Sequence, residues 1–279
     1  KKPLGLIDRE SVWKRIQKAG LTEAEVGYLW MDDSLGLILD KLDTLGIADN
    51  TIVVFVSDHG SERKGSLIKT RGTEIPCLIR WPKVIKPGSI SNGLLQNTDF
   101  VPTWFELAGA KIPEDYHIDG KSLLPMFQDP SVSVRKFIYA EQGAARAIKT
   151  DEWEYISLRY TDEQIAATQG NRSNRAFKTF LGLSGGISRA RYFHPGIFSA
   201  DQLYDLSKDP HSQKNLATDP SYAGQLKKMK NMLTKTVKNL GSRPYGDFVQ
   251  GEGTSDAEAS QKVLDQLAAY HAKESKKKK

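Results

Sequence analysis

The sequence holds a single cysteine, Cys77, among 279 residues. That excludes an internal disulfide framework and any cysteine-rich metal centre. Cys77 lies within the apolar run Ile75–Ile79, where a small buried hydrophobe is the expected role. No apolar run approaches the roughly 18 residues that a membrane-spanning helix needs. No signal-peptide pattern opens the chain, because Lys1-Lys2-Pro3-Leu4-Gly5 leads straight into charged residues. The expectation is a cytoplasmic protein or an N-terminus that is not the native one. The aromatic-basic interleaving of a single-strand binder is missing. Four of the charges behind the formal +6 belong to the tail Lys276–Lys279, so nucleic acid is not an expected partner. No internal repeat is found.

What is present is ordinary globular composition, 39% hydrophobic and 27% charged. Thr22 with Glu25 forms a capping-box start. Leu35, Ile38, Leu39 and Leu42 then follow helical spacing, which predicts one apolar stripe, and Gly46 is placed to stop the helix. Thr51-Ile52-Val53-Val54-Phe55-Val56 reads as a short strand covered on both faces, as in the sheet of an α/β domain. A second apolar segment, Ile75 to Trp81, is closed by Pro82. Val101, Trp104, Phe105 and Ala108 share one face of a further helix, with Gly109 at its C-terminal cap.

From about residue 137 the texture changes. Residues 137–140, 145–149, 153–158 and 202–206 read as short strands, with Thr150-Asp151-Glu152 joining two of them in a hairpin. Asp219-Pro220 starts a helix with Leu226, Met229, Leu233 and Val237 on one side. These signals predict a small antiparallel sheet with a packed helix. Residues 241–255 read as a loop and 256–273 as a last amphipathic helix.

The chemistry gathers at Ser57-Asp58-His59-Gly60. In open α/β sheets, ligands collect outside the carboxyl ends of strands, and Gly60 permits the bend that lets neighbouring side chains face one site. The Asp58 carboxylate suits a hard divalent cation, and the His59 imidazole could complete the shell or meet a bound anion. The plain alternative is a polar turn. Arg63, Lys64, Lys69 and Arg71 follow closely. A cation with a lysine is a sensible device for a sulfate or phosphate ester, neutralising charge on the non-bridging oxygens.

Here the sequence resembles the sulfatase family of the alkaline-phosphatase superfamily. The motifs run in order: Asp32-Asp33-Ser34-Leu35-Gly36, then Thr51 to Gly60, then Ile75-Pro76-Cys77-Leu78-Ile79-Arg80-Trp81-Pro82. Thr98-Asp99-Phe100-Val101-Pro102-Thr103, Asp119-Gly120-Lys121-Ser122-Leu123, Arg146 to Tyr155 and Leu203-Tyr204-Asp205-Leu206 follow.

The resemblance implies an α/β fold: part of a large mixed sheet sandwiched by helices, plus a small C-terminal antiparallel sheet with a packed helix. The implied division is 1–136 as the C-terminal part of a catalytic domain, 137–240 as a small subdomain, and 241–279 as loop, helix and basic tail. It also implies cleavage of sulfate esters, with Ca²⁺ in preference to Mg²⁺ and a formylglycine nucleophile. Asp58 and His59 would be metal-site residues. Lys64 would contact the sulfate, with Lys69 the other candidate, because the expected spacing before Pro76 falls on Gly65. A sulfated small molecule or glycan is the implied partner, with neither nucleic acid nor membrane, and a secreted or periplasmic location is usual for the family.

The family's Cys/Ser-x-Pro-x-Arg nucleophile motif does not occur: Cys77, Ser131 and Ser242 each lack part of it. The expectation is therefore the C-terminal portion of a longer protein, inactive by itself. Two other readings stay open, a phosphodiesterase or phosphonate hydrolase of the same superfamily and a non-catalytic module for sulfated glycans. An Arg- and aromatic-rich stretch around His194 could line a pocket for a sulfated sugar, whereas His117, His211 and His271 read as loop or solvent-facing residues.

Overall fold

The structure, a computed structural model, describes residues 8–60, 72–114, 116–142, 145–159 and 199–240. The chain divides into two compact units, residues 1–55 with 77–90, and residues 56–76 with 91–279.

In the first unit, helix α1 (Arg9–Lys18) starts at Asp8, whose carboxylate accepts from Glu10 N at 3.3 Å. It buries Val12 and Ile16 and packs against α2 (Val26–Thr44). Arg15 grips Asp33 of α2 with both guanidinium nitrogens. The capping box before α2 forms as expected, with Thr22 N donating to Glu25 Oε2 at 2.7 Å. Gly46 ends the helix at φ 66°, a left-handed conformation that a Cβ would strain. The amides of Gly46 and Ile47 turn back onto the carbonyls of Asp43 and Leu42, satisfying acceptors that the helix end would leave bare.

Two expectations fail in this unit. α2 buries none of its residues, and Ile38 from the expected stripe is exposed. β1 (Val53–Val56) pairs with β2 (Cys77–Arg80) in a two-stranded sheet, and no residue of either strand is buried. The apolar run of β1 has the composition of a covered strand, but its partner β2 lies beside it and covers an edge, not a face. Cys77 is likewise only half-buried, and that burial pushes its thiol pKa up.

The second unit has its own core. α3 (Phe100–Leu107) buries Pro102 and Thr103, while Val101 and Trp104 of the expected face are exposed. Polar anchoring decides this orientation. Thr103 Oγ1 donates to Asp99 O at 2.6 Å and accepts from Leu123 N at 2.9 Å. The buried Asp99 carboxylate accepts from Gln96 N at 2.7 Å, from Lys121 N at 2.8 Å and from the Arg135 guanidinium. Leu123 and the following short helix α4 (Leu124–Gln128) are thereby drawn into the core.

Strands β3 (Ile138–Gln142), β4 (Ala145–Lys149), β5 (Trp153–Leu158) and β6 (Asp201–Asp205) form a four-stranded sheet in chain order, antiparallel throughout. The turn at Thr150 closes with Thr150 N donating to Trp153 O at 2.8 Å. Both faces are apolar. Ile148, Tyr155 and Leu203, paired across the strands, meet Leu216, Met229 and Leu233, whereas Ala147, Ile156, Tyr204 and Leu206 form a second cluster. Met229 and Leu233 come from α5 (Ala223–Asn239), preceded by the predicted Asp219 cap on Ser221 N at 3.0 Å. The small antiparallel sheet with its packed helix is thus present. Residues 241–273, read as loop and helix, lie outside the described residues.

Candidate functional site

β1 ends at Val56, and the next four residues form a turn pinned from both sides. Ser57 N donates to Pro76 O at 3.4 Å, and Gly60 N donates to Gly72 O at 3.0 Å. Inside the turn, Ser57 Oγ donates to His59 O at 2.8 Å. Gly60 is buried, as its place beneath the returning segment requires.

His59 Nδ1 lies 2.8 Å from Gly60 O. A carbonyl oxygen can only accept, so in the neutral imidazole this contact puts the proton on Nδ1 and leaves a lone pair on Nε2. Nε2 stands 3.5 Å from Asp58 Oδ1. The Asp58 side chain is 74% exposed and that of His59 34%.

The donor chemistry fits a hard cation at Asp58 and less well at His59, since Ca²⁺ prefers oxygen and takes six to eight ligands. Two groups supply only part of such a shell. Among the described residues no group of three or more His, Cys, Asp or Glu is arranged to hold a metal. Lys64 and Lys69, with Arg63 and Arg71, lie outside the described residues, as do His194 and His271. His117 and His211 are exposed, in keeping with the sequence reading.

The sequence reading missed a buried polar relay that reaches this loop. Lys149 Nζ donates to Thr73 Oγ1 at 2.6 Å and pairs with Glu154 Oε1 at 2.8 Å. Glu154 Oε2 accepts from Ser212 Oγ at 2.6 Å, and Ser212 holds a left-handed backbone, φ 52°. Lys149 is 3% and Glu154 0% exposed. Thr73 directly follows Gly72, the acceptor for Gly60, so the β4–β5 hairpin supports the segment that closes over the strand-end turn. One signal for the pair was available: Lys149 and Glu154 stand opposite each other across the predicted hairpin.

The sulfatase family model matches residues 27–110, a span that includes α2, β1 and the Asp58–His59 turn. An ulvan-active sulfatase of Formosa agariphila is 35% identical over 224 residues, covering 76% of this chain and 41% of that protein. The steryl-sulfatase of Mus musculus is 29% identical over 210 residues, covering 68% of this chain and 32% of its own. The solved structure of a protein in complex with its substrate D-glucosamine-2-N,6-O-disulfate superposes with a TM-score of 0.57 at 26% identity, covering 76% of this chain and 39% of that one. The chain thus spans well under half the length of each of these relatives. The motifs read in order from the sequence, the architecture built on them and the matches across residues 27–110 and beyond agree on one conclusion: the chain belongs to the sulfatase family.

Proposed function

We propose that this chain supplies the late metal-binding and sulfate-binding residues of a sulfuric-ester hydrolase. The observation that carries the reading is the turn after β1, where Asp58 Oδ1 and His59 Nε2 stand 3.5 Å apart inside the matched family segment. In this reading Asp58 gives an anionic oxygen to the cation. His59, its Nδ1 proton engaged by Gly60 O, keeps Nε2 turned toward the same place. Lys64 adds an ammonium to the sulfate oxygens, a point charge with three donors. Calcium, when bound, neutralises charge on the non-bridging oxygens as the ester bond breaks. The formylglycine nucleophile belongs to a Cys/Ser-x-Pro-x-Arg motif that this sequence does not contain, so ester hydrolysis requires a further polypeptide segment.

Residues 1–136 then act as the C-terminal part of the catalytic domain, 137–240 as the small subdomain, and 241–279 as loop, helix and basic tail. A sulfated saccharide is the substrate class, supported by the disulfated glucosamine bound to the structural relative. Calorimetric titration of Ca²⁺ into the 279-residue chain and into Asp58→Asn tests the reading. Heat that disappears in the variant is expected. Equal binding by both proteins would sink the assignment of Asp58.

A further inference from the structure

α5 carries Lys227, Lys228, Lys230, Lys235 and Lys238 and not one acidic residue. Its apolar face is spent on the sheet, through Met229 and Leu233. Lys230 is tied to Asp201 at 2.6 Å. The other four lysines are exposed. Steps of three and four residues put Lys228, Asn231, Lys235 and Lys238 on one side of the helix, with Lys227 beside them. At about 1.5 Å of rise per residue, Lys228 and Lys238 stand about 15 Å apart along the axis.

Two shallow depressions run along this face and share Lys227 and Asn231. The first, about 410 Å³, begins at Thr218 and Asp219. The second, about 480 Å³, continues past Gly224 and Lys228 to Lys235. Asp219, the one acid in either lining, is engaged by Ser221 N at 3.0 Å as a helix cap.

Apart from Lys238, which complements the C-terminal end of the helix dipole, this charge pattern does little for the helix itself. α1 pairs Lys14 with Glu10 one turn away at 2.9 Å, but no lysine of α5 has such a partner within the helix. The first turn of α5 has no acid, although the helix dipole favours one there. Like charges gathered on one face repel one another. An external ligand that repeats its negative charge along its length reverses that cost. The open, elongated shape and the absence of a buried polar group suit a chain better than a single sulfate ion.

We propose that the lysine face of α5 docks a sulfated polysaccharide chain. The choice of polyanion rests on the sulfatase reading above, while the surface itself stands on the geometry of α5.

The test uses the full 279-residue chain with heparin as the probe, by affinity chromatography and calorimetry over a range of NaCl concentrations. Replacing Lys227, Lys228, Lys235 and Lys238 with Gln should weaken heparin binding by roughly tenfold or more. It should also lower the slope of log K against log salt by about 3, at about 0.7–0.9 counterion per lost contact. The same four positions as Arg should retain binding, which separates charge from folding. Gln at Lys276, Lys277, Lys278 and Lys279 should leave binding in place, and so should EDTA, which keeps this result independent of the metal site. Fully desulfated heparin should not bind. The proposal is overturned if the Gln variant at α5 binds as wild type does, or if binding is lost with the tail lysines or in EDTA. It is also overturned if duplex DNA or phosphatidylserine vesicles bind through the same lysines as tightly as heparin does.

Discussion

Replacing Lys149 with Met should be among the most damaging single changes in the second unit. The methionine keeps most of the aliphatic stem and removes only the ammonium. Glu154, fully buried, then loses the cation 2.8 Å from its Oε1 and keeps only the Ser212 hydroxyl, 2.6 Å from Oε2. Stranding one partner of a buried ion pair costs about 3–5 kcal/mol. At about 2–4 °C per kcal/mol for a domain of this size, the melting temperature should fall by roughly 6–20 °C. The double variant Lys149→Met, Glu154→Leu removes both charges from the apolar interior, and such replacements are often neutral or stabilising. It should therefore recover most of the loss. Urea unfolding followed by far-UV circular dichroism on wild type, both single variants and the double variant closes the cycle. A Lys149→Met cost below about 1 kcal/mol, or a double variant as unstable as the single, would refute the claim that the pair is buried and charged.

Asp201 supplies a pH dependence. Burial raises its pKa, but hydrogen bonds from Lys230, Tyr155 and Arg159 together outweigh this and hold the carboxyl below its usual range. Its stabilisation is full above the unfolded value of about 3.9 and disappears as pH falls through the lower folded value; Asp201→Asn should flatten that acid limb in thermal melts between about pH 2 and 5. Gly120→Ala drives a Cβ into the Thr98 carbonyl oxygen, so it should lower stability by about 1–3 kcal/mol by overpacking, and an unchanged melting curve would refute the close approach. Two glycines, one within α2 and one just past its end, should give opposite signs. Gly36→Ala enters open space in mid-helix and should stabilise by about 0.5–1 kcal/mol, whereas Gly46→Ala at φ 66° should destabilise by about 1–2 kcal/mol, both read by differential scanning calorimetry.

The legible parts of the fold were those written in short range. The Thr22–Glu25 box, the stops at Gly46 and Gly109, the hairpin around Thr150 and the Asp219 cap depend on residues within a few positions of one another. Partners far apart in sequence were not legible. Asp99 and Arg135, 36 residues apart, orient α3 through a polar cluster that no periodicity announces. The apolar pattern therefore nominated Val101 and Trp104 for a core that Thr103 occupies instead. Hydrophobic composition also overstated the cover of β1 and α2, because composition records what a residue can bury and not whether a neighbour arrives to bury it. At the candidate site, the abrupt change from Val56 to Ser57-Asp58-His59-Gly60 was visible because a strand end forces polar groups together. Lys149 and Glu154 read as ordinary charges on a hairpin, since an apolar cover on both faces of the sheet cannot be inferred from alternation alone.

The exit from β5 and the entry to β6 are bolted to each other. Leu158 N donates to Ala200 O at 2.9 Å, Arg159 Nη2 to Asp201 Oδ1 at 2.9 Å, and Tyr155 OH to the same oxygen at 2.6 Å. A single carboxylate is thus the keystone of two strands, and its loss should loosen β5 and β6 together.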